Sequence, residues 1–271
     1  MFFVPFVDEH SSFDRRLGFW PSDFVIRSQT SGVTLLDLTL PTPAENLALD
    51  EALLDLCGAG GPESLRFWES PERFVVVGYG NRIASEVDLA ACADADVPVL
   101  RRCSGGGSVV QGPGCLNYNV VLRIPDHGPL GTVTGTNRFV MERMRDALQP
   151  LIPVPVVVEG HTDLALQTAG GLRKFSGNAQ RRRRAALVFH GTLLLSFDLG
   201  SIAQFLVHPT VEPGYRGRRS HLDFVTNLAL PRGTVTKAVA AAWHASEPRV
   251  SLPDIAAVVA KYRSDEWNRR V

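Results

Sequence analysis

The stretch RRCSGGGSVVQGPG, residues 101–114, limits what this chain can fold into more than any other. Gly105, Gly106 and Gly107 stand in a row inside an apolar region, and Gly112-Pro113-Gly114 follows at once. Glycine loses more backbone freedom on folding than any other residue, so three together imply that something must lie against bare backbone. The familiar phosphate loops do not fit. A Walker loop needs G-x-x-x-x-G-K-[ST], and a dinucleotide fingerprint needs G-x-G-x-x-G opening a helix; these glycines open a β-rich segment. Consecutive unobstructed N–H groups can still cradle an anion. Arg101 and Arg102, just upstream, carry forked donors suited to phosphate or carboxylate. A glycine-rich turn beside two solvated arginines accounts for the segment equally well.

The surroundings predict an α+β fold built on a mixed, largely antiparallel sheet flanked by helices. Extended, β-branched runs recur at 32–40, 64–69, 73–80, 97–103, 108–111 and 116–124, and again at 154–160, 163–168, 173–180 and 187–197. Gly112-Pro113-Gly114 predicts a hairpin between the 108–111 and 116–124 strands, and Ala169-Gly170-Gly171 predicts another. Residues 42–58 read as a helix: Thr42 caps it, Pro43 occupies the first turn, Glu45 completes a capping box and Gly58 ends it. Leu49, Leu53 and Leu56 share its apolar face. Further helices are expected over 137–148, over 199–206 behind Asp198, and over 234–245 and 252–263. Strands in hairpins with interspersed helices argue against a parallel βαβ array. Three regions result: an N-terminal extension over 1–32, a catalytic domain over 33–230, and a helical segment over 231–271 packed on the same domain.

Composition narrows the functional classes. Lys plus Arg and Asp plus Glu both number 28, so the formal net charge is zero, which favours neither a nucleic acid nor a membrane surface as partner. Cys57, Cys92, Cys103 and Cys115 form no C-x-x-C pair, as expected of free thiols in a reducing, cytoplasmic setting. The opening MFFVPFVDEH lacks a basic segment before its apolar patch and is broken by Pro5 and Asp8-Glu9, so no signal peptide is expected.

Two further segments carry chemistry. In RKFSGNAQ, 173–180, one lysine on an apolar strand precedes small residues. Lys174 suits a pocket where it meets an acyl carbonyl or a phosphate oxygen; an edge-strand lysine with its head in water is the commoner case. In FHGTLLLSF, 189–197, His190 and Gly191 begin a buried strand, where a lone histidine is usually structural. Arg181–Arg184 reads as a solvated hairpin tip, or as a docking point for an acidic partner.

Taken in order, ENLALDEALL (45–54), VVVGYGN (75–81), RRCSGGGSVVQGPGCLNYNVVL (101–122), TDLAL (162–166), RKFSGNAQ and HGTLLL (190–195) resemble the lipoate–protein ligase A family, within the biotin/lipoate ligase and octanoyltransferase superfamily. The resemblance spans about residues 34–206. It implies a catalytic domain that binds an acyl-adenylate in a bent cleft, with ATP and Mg²⁺ used to activate lipoate or octanoate. It implies Lys174 as the catalytic cation. The adenylate and acyl group would be held by Arg102, Ser104, Gly105, Gly106, Gly107, Ser108, Val109, Val110, Asp163, Ser176, Gly177, Ala179, His190 and Gly191. The acceptor would be a lysine of a lipoyl domain or of a glycine-cleavage H-like protein. The octanoyltransferase branches place a nucleophilic cysteine either before the lysine motif or after the His-Gly strand; residues 158–173 contain none, and the second neighbourhood reads Val207-His208-Pro209. About 60 residues follow the catalytic segment, too few for the accessory domain of larger ligases, so a separate accessory subunit is an expected partner. Thr162-Asp163 stands where ligases carry Asn-Asp.

Overall fold

A helix with a capping box stands near the start of the described fold. In this computed structural model, which describes residues 32–209, 212–247 and 251–270, Thr42 Oγ1 accepts from the Glu45 amide and Glu45 Oε2 accepts from the Thr42 amide. The extension expected over 1–32 lies, apart from Gly32, outside the described residues. The capped helix, α1 (Pro43–Gly58), follows strand β1 (Thr34–Asp37). It ends at Gly58, the expected stop, with Ala59 as its C-cap and Gly60 at positive φ beyond. Its burial is nearly all round, with Asn46, Asp50 and Glu51 as enclosed as Leu49 and Leu53. The cause is a two-sided environment: α1 packs on the sheet on one side and on a C-terminal helix on the other.

Next come β2 (Ser64–Trp68), β3 (Phe74–Val77), α2 (Leu89–Asp94), β4 (Val99–Arg101), β5 (Val109–Gln111) and β6 (Cys115–Arg123). After α3 (Val133–Leu148) follow β7 (Val156–Glu159), β8 (Asp163–Thr168), β9 (Gly171–Arg182) and β10 (Ala186–Leu194). The chain ends with α4 (Gly200–Phe205), α5 (His221–Phe224), α6 (Arg232–Ala242), α7 (Ala256–Arg263) and α8 (Asp265–Asn268). A seven-stranded sheet runs β1-β2-β6-β10-β9-β8-β7, antiparallel except for the β1–β2 pair, and a three-stranded sheet runs β4-β3-β5. The fold is α+β, a mixed and largely antiparallel sheet flanked by helices.

The hairpin expected around Ala169-Gly170-Gly171 forms between β8 and β9, with Thr168 opposite Gly171. The hairpin expected at Gly112-Pro113-Gly114 does not: β5 belongs to the small sheet and β6 to the large one. The turn instead carries the chain between sheets. A side chain at Gly114, which sits at φ +83°, would strike the Ser196 backbone at 2.5 Å. Two helix boundaries also shift. α6 begins behind Pro231, and the region expected as one helix over 252–263 is helical only from Ala256. Asp198 does serve the start of α4, its carboxylate accepting from the Gly200 amide and the Ser201 hydroxyl. No helix among the described residues is long and apolar enough to cross a membrane.

Candidate functional site

Lys174 is not on an edge strand. It lies in β9, between β8 and β10, at a β-bulge: Ser176 pairs with Leu164 and Lys174 with Ala165, so Phe175 is the extra residue. Residues three apart on a regular strand face opposite ways, but the bulge brings Lys174 and Gly177 to one face. Lys174 then lies across Gly177, where a Cβ would stand 2.9 Å from Nζ. Its ammonium meets Asp163 Oδ1 at 2.8 Å, and the Tyr215 hydroxyl donates to Asp163 Oδ2 at 2.8 Å. The Phe224 ring lies 6.0 Å from Nζ. Tyr215, from the connection before α5, and Phe224, at the end of α5, carried no recognisable sequence signal; only the fold brings them to the lysine.

The glycine loop faces this centre and is held from three directions. From within, Arg102 donates to Ser104 Oγ at 3.1 Å, Gly105 O at 2.5 Å and Gly107 O at 2.8 Å. From one side, Asn81 donates to Gly106 O at 2.9 Å; Glu86 accepts from the Ser108 amide at 2.8 Å and from its hydroxyl at 2.5 Å. From below, Gly78 leaves room for Gly106 O, which would be 1.9 Å from a Cβ there. The amides of Gly105, Gly106 and Gly107 donate to no acceptor among the described residues. Gly106 needs its φ of +85°, whereas no atom lies within 4 Å of where a Cβ would stand at Gly107. Arg102 therefore organises the loop from a buried position, and burial pushes its pKa down to about 10.

His190 joins the same network. Ser104 Oγ, which accepts from Arg102, is also hydrogen-bonded to His190 Nε2 at 2.5 Å. Burial, helped by the Arg102 charge, pushes the imidazole down to about 3, so it is neutral at physiological pH. Across Gly191 lies Asn178, whose Oδ1 accepts from the buried Tyr118 hydroxyl at 2.5 Å and whose Nδ2 donates to Thr162 O at 2.6 Å.

Two cavities of about 630 and 520 Å³ share Gly106–Val109, Lys174 and Gly177 in their walls, as two lobes of one cleft. Arg102, Asp163, Ala179, His190 and Gly191 line the larger lobe, and Val110 and Ser176 the smaller. Ser104 and Gly105, expected as contacts, line neither: Ser104 is buried against His190 and Arg102, and Gly105 is exposed, its carbonyl held by Arg102. The larger lobe closes on Leu47, Asp50 and Trp68. Asp50 accepts from Arg66 at 2.6 Å and from Trp68 Nε1 at 3.2 Å, while burial pushes its carboxyl above the ordinary range. The smaller lobe is walled by Phe224, Arg216, His221 and aliphatic groups of α4.

None of the four cysteines lines either lobe. All are buried and unpaired, and burial foremost pushes Cys57 and Cys103 up to about 11 and Cys115 up to about 12. In the arginine run, Arg182 donates to Leu130 O and Thr136 Oγ1, Arg183 meets Glu51 and Asp55, and Arg181 stacks on Tyr79. Three of these four residues thus hold the fold; Arg184 is exposed.

Residues 42–243 match the model of the lipoyl protein ligase A/B catalytic domain. A protein of Aeropyrum pernix named for lipoate-protein ligase A is 30% identical over 195 residues, covering 71% of this chain and 69% of its own. An octanoyltransferase LipM of Exiguobacterium sibiricum is 26% identical over 83% of this chain and 94% of its own. In fold, a bi-partite lipoate protein ligase of Thermoplasma acidophilum, studied with its E2 lipoyl domain, superposes with a TM-score of 0.74 at 23% identity, over 89% of this chain and 97% of that one. A glycine loop, a bulge-aimed lysine and the matched sequence coincide in one cleft, and the chain belongs to the lipoyl protein ligase A/B catalytic family of lipoate ligases and octanoyltransferases.

Proposed function

We propose that the protein is an ATP-dependent lipoate–protein ligase that attaches lipoate, or octanoate, to a lysine of a lipoyl-acceptor protein in a reducing, cytoplasmic setting. In that chemistry a carboxylate displaces pyrophosphate from the α-phosphorus of ATP, and the acceptor amine then attacks the acyl carbonyl, releases AMP and loses a proton.

One observation carries the reading: a fixed cation, Lys174, stands where the two lobes meet, and no cysteine reaches that point. An ammonium there offsets charge on both the acyl oxygen and the phosphate, and alignment supplies the rest. Asp163 and Tyr215 hold the ammonium against Gly177, and the free amides of the glycine loop supply further donors to an anion. The larger lobe, with Leu47, Val76 and Trp68 in its walls, suits the acyl chain. The smaller, with Val110, Arg216 and Phe224, suits the nucleotide. Among the described residues no three His, Cys, Asp or Glu side chains gather as a metal site. Mg²⁺ would therefore enter with the phosphates, keeping much of its water shell. The Thermoplasma ligase supports a lipoyl domain as acceptor, and its bi-partite make-up supports a separate accessory subunit.

The LipM relative, matched over nearly its full length, favours a second reading: transfer of octanoyl from a carrier protein without ATP. Intact-mass spectrometry of a purified lipoyl domain separates the two. A lipoyl mass shift that requires free lipoate and ATP is the expected result. A shift obtained only with octanoyl carrier protein replaces the ligase with the transferase, and no shift under either condition, with the accessory subunit supplied, removes both.

A further inference from the structure

Of the described residues that line the larger lobe, five are exposed: Gly106, Gly107, Gly160, His161 and Gly214. They mark its mouth, between the glycine loop, the turn from β7 to β8 and the connection before α5. Gly106 and Gly107 also line the smaller lobe, so the mouth opens beside the junction that Lys174 shares. Four of the five carry no side chain. A rim of bare backbone admits a slender side chain end-on, and the one side chain it presents is an imidazole.

His161 stands in the middle of its turn, since Glu159 pairs with Asp163 across it. The turn rests on the far wall, where a Cβ at Gly160 would be 3.6 Å from Pro213 Cβ. Asp163 follows two residues later, so its Cα lies within about 7 Å of that of His161. Asp163 in turn carries Lys174, which places the ring beside the reacting centre.

Acyl transfer to a lysine needs a proton acceptor at this mouth. Lysine ordinarily titrates near about 10.4, so the acceptor arrives as an ammonium with no lone pair to attack with. The other ionisable groups of the lobe are engaged. Asp163 is held at one oxygen by Lys174 and at the other by Tyr215. Glu212 meets Arg216 at 3.3 Å and accepts from the Arg218 amide at 2.7 Å. Asp50 is buried against Arg66, and the Tyr118 hydroxyl donates to Asn178. His190 is bonded to Ser104, and burial makes it a poor base by pushing its pKa down to about 3. Arg102 and Lys174 are cations already. His161 has no hydrogen bond or ion pair among the described residues, and imidazole is the side chain suited to taking a proton near neutral pH.

We propose that His161 is a catalytic residue of the transfer step, the base that takes a proton from the acceptor lysine as it enters the cleft. One N–H bond of the ammonium breaks and its proton passes to the imidazole. The freed lone pair forms the C–N bond to the acyl carbonyl carbon. The bond from that carbon to the donor's oxygen, or sulfur, then breaks and its electron pair leaves with the donor. The second proton on nitrogen and the one on the imidazolium pass to water at the open mouth. The charged groups around the ring are Glu159 and Asp163 on its own hairpin, Glu212 on the connection before α5, and Lys174 and Arg102 deeper in the lobe. The proposal rests on the acyl transfer to lysine proposed above, and holds whether the donor is an adenylate or a carrier thioester.

The test is single-turnover transfer to a purified lipoyl domain by the full chain, read by intact mass, with chemically prepared lipoyl-adenylate as donor and octanoyl carrier protein as the alternative. His161→Ala is expected to slow transfer about a hundredfold at pH 7, and added imidazole to restore part of the rate. The parent's rate should level off once the ring is neutral. The variant's should keep rising until lysine loses its own proton near about 10.4, so the gap closes. A variant as fast as the parent at pH 7 overturns the proposal. So does a slow variant that neither imidazole nor rising pH restores, since a purely structural loss responds to neither. Should His161→Ala fail to fold, His161→Asn takes its place and the pH dependence decides. A parent that transfers from neither donor removes the reading of the protein as a lysine acylating enzyme, and the proposal with it; a parent that transfers beside an equally fast variant removes the proposal alone.

Discussion

At the scale of single residues, Lys174 and His190 divide the work of charge. Lys174 is held at the junction of the lobes by Asp163, which Tyr215 holds in turn. Lys174→Ala is expected to cut acyl transfer by at least about a hundredfold, the usual cost of removing a transition-state donor, while the circular dichroism spectrum stays unchanged. An active, well-folded variant sinks the assignment. His190 works in the opposite sense, as a neutral ring hydrogen-bonded to Ser104, its pKa pushed down to about 3 by burial. Between an ordinary histidine value near 6.5 and that depressed value, the unfolded chain binds a proton that the native protein refuses. The stability contribution is complete above about pH 6.5 and declines as pH falls through the window, by up to about 1.4 kcal/mol per unit. Denaturant titrations at pH 7 and pH 5 should show the parent losing about 2 kcal/mol more than His190→Gln. Equal losses would mean that the ring takes up its proton normally.

At the scale of elements, the glycine loop shows which features a sequence displays and which it hides. Two glycines of neighbouring motifs have different reasons to exist. Gly78 leaves space for the loop itself, and Gly107 leaves space that no protein atom fills. Gly78→Ala should therefore destabilise the fold by about 1–3 kcal/mol, as overpacking does. Gly107→Ala should leave stability within about 1 kcal/mol of the parent, yet weaken lipoate or nucleotide binding tenfold or more. Thermal melts paired with binding titrations check both, and a Gly107→Ala protein that binds normally removes the loop from the cleft's working surface. The loop, the capped α1 and the β8–β9 hairpin were legible because their signals are local: a cap three residues from its partner, a two-residue turn, a run of glycines. The separation of β5 from β6 was not, since the turn between them reads as a hairpin, and only the contact of Gly114 with Ser196 shows the change of sheet. The bulge at Phe175 was hidden for the same reason, as it is a fact about register against β8. Lys174 could be named from sequence, but why it points into the cleft could not. Tyr215 and Glu86 escaped altogether, because their partners Asp163 and Ser108 stand 52 and 22 residues away.

Across the whole molecule, the last helices brace the strand that leads into the glycine loop. Arg101 at the end of β4 is fully buried, and its guanidinium donates to Gly78 O and Asn81 O, both at 2.8 Å. The same residue is gripped from behind by α8. Its amide donates to Asn268 Oδ1 at 2.9 Å, its Nε to Asn268 O at 3.2 Å, and Trp267 Nε1 donates to its carbonyl at 2.7 Å. α7 anchors this tail to α1, where Glu51 accepts from Lys261 at 2.7 Å and from Tyr262 at 2.8 Å. A segment that contributes no residue to either lobe thus fixes the floor under Gly106, 167 residues away in sequence from the strand it grips. Asn268→Ala removes the acceptor of the Arg101 amide and leaves that buried donor unpaired, a cost of about 1–3 kcal/mol. For a domain of this size each kcal/mol lowers the melting temperature by about 2–4 °C. The loss should reach the site as well, since Arg101 carries Gly78 and Asn81, and both of these position Gly106. Scanning calorimetry and the lipoyl-domain mass shift, run on the same Asn268→Ala preparation, should show a lower melting temperature together with slower transfer. A lowered melting temperature with full transfer would confine the tail to stability, and an unchanged melting temperature would mean that β4 holds the loop without it.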